Sequence, residues 1–398
     1  MKMKYLAIAA GISTLLNHTA ISAHGLWRPA PGAALTAEIT TTYRNRGTAD
    51  EQLWQIPGIL MGGETHGTRK GFELDSAVLE LSYFDNEQVY GIAEVSTHGQ
   101  HAEVEMEKAY IGALWQADAL QLQLEAGKLS AQFSPQHGSH ANARNFVAQP
   151  LAYDALYGGH FNDIGARVIL SHAEGRGLGI EVFNGDSYPS ANNNNLGAAD
   201  VFGFYHMTFD SLLLQNRVWF GAYKGRDRSD ERLDSDKGHS HDLSNTSPTY
   251  WFDGDTRITG LRSKLIWLGW DWAQLNLTAE YMRADIEGTL RDNTRQAELD
   301  SQVNAIWAAL ELKRGRHTLA LSYDQLQTDN TLLGDAGPAL AELSGLTDMG
   351  TNPKRFRLAY LQQWRDHLKW SVELHADNST ESDFNTVLFA LRWNGTWP

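Results

Sequence analysis

The stretch NTVLFALRWNGTWP, residues 385–398, closes the chain and decides its fold class. Every second residue from Val387 onward belongs to one mostly apolar and aromatic set: Val387, Phe389, Leu391, Trp393, Gly395 and Trp397. The alternate set contains Arg392 and Asn394. Because successive side chains of a β-strand leave opposite faces of the backbone, this period of two predicts a strand with one apolar face and one polar face.

Fifteen further segments alternate in the same way, which makes sixteen predicted strands. Most are long enough for a tilted strand to cross a membrane, which takes about 9–11 residues. One segment, residues 336–346, is predicted to form a short loop helix. The predicted strands cover residues 35–43, 72–84, 88–97, 104–115, 119–131, 162–172, 177–185, 199–210, 213–225, 256–269, 272–286, 303–314, 317–328, 354–365, 367–377 and 386–397.

The links between these strands alternate in length. Even-numbered strands are followed by turns of a few residues, whereas odd-numbered strands are mostly followed by long links: 44–71, 132–161, 226–255, 287–302 and 329–353. Outer-membrane barrels sort their connections in this way, with short periplasmic turns and long extracellular loops. An even number of strands also lets the last strand pair with the first, so that no open edge remains in the lipid.

Tryptophans gather beside the short turns: Trp115, Trp267, Trp270, Trp272, Trp364 and Trp370. This distribution is typical of an aromatic girdle at one membrane interface. Together with the strand count and the loop pattern, it predicts an all-β fold, a 16-stranded antiparallel transmembrane β-barrel. The apolar face of the final strand then points into hydrocarbon, and its last aromatic residue lies at the periplasmic interface.

Composition narrows the classes of protein further. The chain of 398 residues has no cysteine, which excludes disulfides and thiolate metal sites. Its net charge of −15 argues against a nucleic-acid partner.

The N-terminus predicts export. Lys2 and Lys4, an apolar stretch and small residues near Ala23 predict a signal peptide over residues 1–23, followed by a single barrel domain over 24–398. The expected location is the bacterial outer membrane, with no plug domain before the first strand.

Sixteen strands leave an aqueous channel, so the inward side chains matter for function. Strand parity points eight charged side chains inward: Glu94, Glu125, Arg167, Arg217, Arg262, Lys264, Arg357 and Arg392. Acidic residues predominate on the early strands, where Glu38, Glu80 and Glu181 are also predicted to point inward. Basic residues predominate on the later strands, where Lys369 is also predicted to point inward. Two interpretations stay open: an acidic wall facing a basic wall across the pore, or a polar lumen that accepts any charged residue.

Histidines recur in close pairs on the side of the long loops: His98 and His101, His137 and His140, and His239 and His241. Imidazole nitrogen binds zinc, copper and nickel, so the pairs are candidate metal ligands at an extracellular rim. Zinc is the candidate metal, and no cofactor is required. The alternative is that polar surface loops simply tolerate histidine. His66 and His160 are predicted to lie on the same side.

These features together resemble a Gram-negative outer-membrane porin. Within porins, Gly127-Lys128, Phe133-Ser134-Pro135 and Gly165-Ala166-Arg167 are similar in layout to the phosphate-selective porin family. That family relies on many pore arginines and lysines, but the third long loop here carries only Arg144, so phosphate preference is not implied. Through its histidine pairs, the chain also resembles zinc-responsive outer-membrane porins. The porin resemblance implies passive diffusion of small hydrophilic solutes and a homotrimer.

A passive porin is therefore the leading hypothesis, and the chain is not expected to be an enzyme. A dedicated metal-binding uptake protein is the first alternative. An outer-membrane hydrolase is less supported, because Asp186 and Ser187 have no histidine at a readable spacing. Besides solutes, the expected partners are outer-membrane lipid and lipopolysaccharide. For the acidic loop residues between 226 and 238 three interpretations stay open: a calcium site, a bridge to lipopolysaccharide through divalent ions, or an ordinary solvated loop.

Overall fold

The structure, a computed structural model, describes residues 29–47, 54–65, 67–85, 87–98, 104–191, 196–230, 232, 249–347, 350, 352–380 and 384–398. Two helices are present in these ranges, α1 (Leu151–Tyr157) and α2 (Gly337–Ser344). The strands are β1 (Gly32–Arg44), β2 (Gly71–Phe84), β3 (Val89–His98), β4 (Glu105–Ala117), β5 (Leu120–Ser130), β6 (Asn162–His172), β7 (Arg176–Phe183), β8 (Ala198–Phe209), β9 (Leu212–Arg228), β10 (Trp251–Trp267), β11 (Gln274–Arg291), β12 (Gln296–Arg314), β13 (His317–Leu333), β14 (Lys354–Arg365), β15 (Leu368–Asn378) and β16 (Phe384–Trp397).

Each strand pairs with its neighbours in sequence, and β16 pairs antiparallel with β1 to close the barrel. The closing register sets Leu35 opposite Trp397. The predicted 16-stranded antiparallel barrel is confirmed, and each predicted strand overlaps one observed strand. In the described part of the chain, no helix is long and apolar enough to cross a membrane.

The two faces of β16 behave as its sequence predicts. Val387, Phe389 and Leu391 are 44%, 42% and 38% exposed on the outer surface. Between them, Leu388 and Arg392 point inward and are each 1% exposed. This outward apolar row belongs to a belt that runs round the barrel, as required of a surface that faces lipid.

Tryptophan side chains lie exposed at the turn end of the barrel. Five of the six that flank short turns are between 37% and 57% exposed: Trp115, Trp267, Trp270, Trp272 and Trp364. Trp270 and Trp272 stack with ring centres 5.4 Å apart beside the turn between β10 and β11. Their position matches the aromatic girdle expected where lipid meets water.

The four strands from β10 to β13 extend beyond their predicted ends. The predicted long link over residues 287–302 is wrong, because β11 and β12 run on and join through a tight turn at 292–295. Asp292 accepts the backbone N–H of Thr294 at 2.8 Å and that of Arg295 at 2.6 Å, which fixes the turn. In the extended part of this hairpin Leu290, Ala297 and Leu299 are buried, whereas the outward face carries the exposed Glu287, Glu298 and Asp300. The segment therefore lacks the outward apolar face that marks a membrane-crossing strand.

Two loops pack inside the barrel. The inward loop, residues 131–161, packs inside the barrel with α1 at its centre, and residues 54–61 of the first loop pack against it. Their apolar side chains, including Trp54, Phe133 and Tyr157, form one buried core with wall residues such as Trp219. These loop segments lie inside the barrel because their apolar side chains are driven out of water.

Helix α1 was not predicted. It starts after Pro150 and ends at Gly158, which adopts the left-handed conformation with φ 60°. Both residues are standard helix-boundary signals, but the helix has only seven residues, too few for a helical repeat to stand out from the loop around it.

Candidate lumenal site

The inward loop is anchored first by aromatic packing. Phe133 stacks on Tyr157 with ring centres 4.4 Å apart, and it lies 5.8 Å from the ring of Trp219 on β9. The indole N–H of Trp219 donates a hydrogen bond to the Tyr157 hydroxyl at 3.3 Å. Large aromatic side chains thus tie the middle of the loop to the barrel wall, which stabilises the loop inside the lumen.

Charged wall residues hold the backbone of the same loop. The Glu181 carboxylate accepts the N–H of Gln132 at 2.9 Å, and that of Asp324 accepts the N–H of Leu151 at 3.1 Å. A loop buried inside a barrel must find partners for its backbone groups, because little water reaches them. Three further contacts of this kind come from the later strands: Glu373 with Val147 N–H at 3.2 Å, Arg357 with Ala148 O at 2.7 Å and Lys369 with Asn142 O at 2.6 Å.

The eight charged residues predicted to line the pore all lie on the inward side. Glu94, Glu125, Arg167, Arg217, Arg357 and Arg392 are buried, while Arg262 and Lys264 are half-buried. Most of them contact other protein groups rather than an open channel. Arg217, for example, donates to the backbone oxygen of Gln132 and lies over the ring of Phe202.

The interpretation of an acidic wall facing a basic wall is wrong. The later arginines pair with acids on neighbouring strands: Arg262 with Glu280 at 3.2 Å, Arg357 with Asp324 at 2.9 Å and Arg392 with Glu373 at 3.0 Å. On the early strands, Arg167 lies between Glu125 and Glu181. The strand register places acids and bases side by side, as buried ions require. The paired charges therefore do not form one acidic wall and one basic wall.

Four histidines meet between the inward loop and the early strands. This histidine cluster consists of His98 at the end of β3 and of His137, His140 and His160 from the inward loop. The ring centres of His98 and His160 are 5.6 Å apart, those of His98 and His140 are 6.1 Å apart and those of His140 and His160 are 6.3 Å apart. His137 is 6.4 Å from His160 and fully buried.

Each of these rings uses its Nε2 atom to contact the protein. His98 Nε2 lies 2.9 Å from Glu107 Oε1, and His140 Nε2 lies 3.1 Å from Glu94 Oε1. His137 Nε2 accepts the backbone N–H of Phe161 at 2.8 Å. His160 Nε2 accepts from the Gln149 side-chain amide at 3.2 Å. The shared pattern leaves Nδ1 as the remaining nitrogen of each ring.

Burial controls the charge of the loop histidines. Desolvation lowers the pKa of His137 to about 4, although a hydrogen bond with the Phe161 backbone opposes the shift. Desolvation also lowers the pKa of His160 well below its usual range, against the attraction of the Glu107 carboxylate. Both rings are therefore neutral near pH 7, and a neutral imidazole is the form that binds metal ions.

Three carboxylates adjoin the histidine cluster. Glu64 of the first loop, Glu105 and Glu107 have carboxylate oxygens that all lie within 4.8 Å of one another. Glu107 belongs to both groups, since it also bonds His98 and accepts from Ser96 Oγ at 2.7 Å. The early side of the lumen thus combines imidazole nitrogens with carboxylate oxygens, which are the ligand types of zinc and similar divalent ions.

The histidines predicted to bind metal divide into two groups. His98, His137 and His140 come together, but inside the barrel and not on an exposed extracellular rim, because the inward loop carries two of them into the lumen. His160, which completes the cluster, was predicted only to lie on the same side. His101, His239 and His241 lie outside the described residues, as does His66.

The described part of the chain offers little support for the Asp186–Ser187 pair as hydrolytic machinery. Ser187 Oγ donates to the backbone oxygen of Asn162 at 2.7 Å, and the backbone N–H of Asp186 donates to Asp163 at 2.9 Å. Both contacts fix the loop after β7. A nucleophilic serine instead needs its hydroxyl hydrogen-bonded to a base.

No protein-family model matches the sequence, and no curated protein matches it. Solved structures share its fold. OprB of Pseudomonas putida is 12% identical with a TM-score of 0.56, over 92% of this chain and 94% of that chain. A loop-deletion mutant of OmpT, an outer membrane protein of Vibrio cholerae, is 11% identical with a TM-score of 0.53, over 91% and 99%. The outer membrane channel DcaP of Acinetobacter baumannii is 12% identical with a TM-score of 0.52, over 94% and 100%. At these identities the likeness shows the outer-membrane β-barrel fold.

Proposed function

We propose that this protein is a porin, an outer-membrane channel for passive diffusion of small hydrophilic solutes and ions. The observation that carries the proposal is the inward loop inside a closed 16-stranded barrel. A 16-stranded barrel is wide enough for an aqueous channel, and the loop narrows that channel to a constriction lined by polar side chains. Loop packing of this kind favours small solutes over large ones.

The constriction favours cations on its early side. Glu64, Glu105 and Glu107 concentrate carboxylates at one place beside the histidine cluster. Carboxylate groups in a confined, low-dielectric lumen raise the local concentration of positive ions. On the later side, paired ions such as Arg392 and Glu373 contribute little net field. Cation transfer along the early strands is therefore the proposed route.

A dedicated metal-uptake barrel is the second candidate. The histidine cluster favours it, because four imidazoles are gathered next to carboxylates. Zinc capture at outer loops carrying His239 and His241 is a further part of this proposal. Uptake and passive diffusion share the same barrel, so they differ in whether metal ions pass faster than other cations of equal charge.

Assembly and surroundings follow from the outer surface. The exposed apolar belt fits outer-membrane lipid, and lipopolysaccharide is the proposed partner of the extracellular loops. A homotrimer is proposed from the porin resemblance. Analytical ultracentrifugation in density-matched detergent measures the oligomer directly, and a monomer would exclude the trimer.

Planar-bilayer recording tests the proposed channel. The full mature chain, purified in detergent, should give discrete conductance steps in KCl and a reversal potential that indicates cation preference. Glu105→Gln should reduce that preference because it removes one of the three clustered carboxylates, while Asp366→Asn in an exposed turn serves as the matched control. Silent bilayers, under conditions in which an established porin conducts, would overturn the proposal.

A further inference from the structure

Arg144 of the inward loop is a cation whose donors are mostly unused. Its Nη2 atom donates to the backbone oxygen of Val147 at 2.8 Å. Among the described residues, no hydrogen-bond partner is found for its Nε and Nη1 atoms, and both atoms are buried. A guanidinium group has five N–H donors, so the greater part of them has no protein acceptor here. Buried donors without partners are rare, because nothing replaces the hydrogen bonds that water would make.

Several other inward arginines have an acid or an aromatic ring as partner. Arg357 and Arg392 lie 2.9 Å and 3.0 Å from a carboxylate oxygen. Arg217 lies over the rings of two phenylalanines. Arg144 has neither an ion pair nor a ring against its guanidinium in the part of the chain that the structure describes. Its positive charge is therefore the one to examine for a ligand.

The charge of Arg144 is only partly compensated. Burial lowers its pKa to about 10, so the group still carries its full charge near pH 7. Attraction from Asp75 and Asp154 opposes this shift, although neither carboxylate forms an ion pair with Arg144. Repulsion from Arg357 and Arg392 adds to the shift. A buried cation in these surroundings gains most from an anion in direct contact.

Two more unused groups lie on the wall beside this part of the loop. The segment that contains Arg144 packs on Leu388 and Ala390 of β16. The next inward residue of that strand is Arg392, which lies opposite Thr40 of β1 in the register. Nε of Arg392 and Oγ1 of Thr40 are also buried and have no hydrogen-bond partner among the described residues. Loop and wall thus both present groups that can donate to an anion.

A carboxylate is the anion that these groups fit best. The planar guanidinium presents its N–H donors in a fork that matches the two carboxylate oxygens. One negative charge matches one cation that lacks an ion pair, whereas a dianion would also be repelled by Asp75 and Asp154. Resting on the proposed channel function, we infer that Arg144 forms a binding subsite for the carboxylate group of a small organic anion inside the barrel.

The segment around Arg144 is open to solutes. Ala143 is exposed, and Arg144 and Asn145 are half-buried. The bond to Val147 O is the one hydrogen bond that holds the guanidinium in the described part of the chain. A rotation of this long side chain therefore turns the unused donors toward a solute and loses at most that bond.

Saturation-transfer NMR with acetate, on the full mature chain in detergent, tests this inference. Acetate should bind the wild type, and Arg144→Gln should bind it at least about tenfold more weakly, as expected for the loss of one charge-assisted hydrogen bond. Arg144→Lys keeps the charge but loses the planar fork, so its affinity should lie between those two. Acetamide, which is neutral and similar in shape, should bind the wild type more weakly than acetate.

Arg316→Gln is the matched control, because it removes an arginine from an exposed turn. It should leave acetate affinity unchanged. Equal acetate affinity in the wild type and in both Arg144 variants, each with heat-modifiable mobility on gels, overturns the inference. If only Arg144→Lys folds, wild-type affinity in that variant overturns it. Tighter binding of sulfate than of acetate rejects the monocarboxylate as the ligand class.

The same samples separate this inference from the proposed function. Acetate binding with silent bilayers would retain the subsite and reject the channel. Conducting bilayers without acetate binding would retain the channel and reject the subsite. When both are right, the reversal potential in KCl should show a stronger cation preference for Arg144→Gln than for the wild type, because a fixed positive charge has left the lumen.

Discussion

Arg357 on β14 donates its guanidinium N–H to the backbone oxygen of Ala148 at 2.7 Å. The same side chain pairs with Asp324 at 2.9 Å and lies over the ring of Phe146. One wall residue thus holds the inward loop by a hydrogen bond, by a ring contact and through an acid that itself binds Leu151 N–H. Arg357 is therefore one of the wall residues that anchor the inward loop.

Replacing Arg357 with Gln should both destabilise the barrel and widen the channel. Loss of the guanidinium leaves the buried Asp324 carboxylate poorly compensated, at a cost of about 3–5 kcal/mol. The freed loop should then give larger and noisier single-channel currents. Unfolding in guanidinium chloride measures the stability, and bilayer recording measures the conductance. Arg316→Gln in an exposed turn is the control for both. Unchanged conductance would contradict the anchoring role.

Asp154 on α1 should make stability depend on pH. Burial raises its pKa from 3.8 to about 7, although Arg355 and Arg144 oppose the shift. The unfolded chain loses this proton near pH 4, but the folded chain only near pH 7. The stabilising contribution is therefore complete below pH 4 and is lost as pH rises to about 7.

Asp154→Asn removes that titration. The free energy of unfolding of the variant, minus that of the wild type, should be larger at pH 8 than at pH 4. The expected increase is on the order of a few kcal/mol. Denaturant unfolding in detergent at the two pH values measures the difference, and Asp366→Asn in an exposed turn should show none. A constant difference between Asp154→Asn and wild type at both pH values would exclude the raised pKa.

Tyr188 joins the two loops that fill the barrel. Its hydroxyl lies 2.8 Å from Leu60 O of the first loop and 3.0 Å from Ala155 O of α1. Tyr188→Phe should therefore cost about 1 kcal/mol of stability through the lost hydrogen bond. The free energy of unfolding measures this cost, and Tyr83→Phe on the exposed outer face is the control. Equal stabilities of the two variants would show that the bridge contributes nothing.

A depth series on β16 tests the lipid-facing surface. Leu391→Lys places a charge near the middle of the strand and should cost about 2–4 kcal/mol, whereas Trp397→Lys at the strand end should cost about 0–1 kcal/mol from its charge. Replacing Trp397 with Asp should also hinder insertion, since it substitutes a charge for an interfacial aromatic residue. Yields of heat-modifiable protein in outer-membrane fractions rank the variants. Normal yields for Leu391→Lys would contradict the orientation of β16.

The sequence by itself determined the barrel. Val387, Phe389 and Leu391 alternate with Leu388 and Arg392, and a lipid-facing strand must follow that alternation because hydrocarbon accepts only apolar side chains. The strand count, the closing pair and the inward direction of Arg357 follow from the same local period. Local periodicity misjudged the ends of β11 and β12, because there the outward face carries Glu287, Glu298 and Asp300 in place of apolar side chains.

Only the tertiary structure decided what the inward residues do. His98 and His160 belong to different segments, and their ring centres come within 5.6 Å because apolar residues of the inward loop drive it into the lumen. The pairing of Arg357 with Asp324 likewise depends on the register of β13 against β14. Contacts of this kind join residues that are distant in sequence, and the free energy that selects them arises from burial and charge pairing in three dimensions.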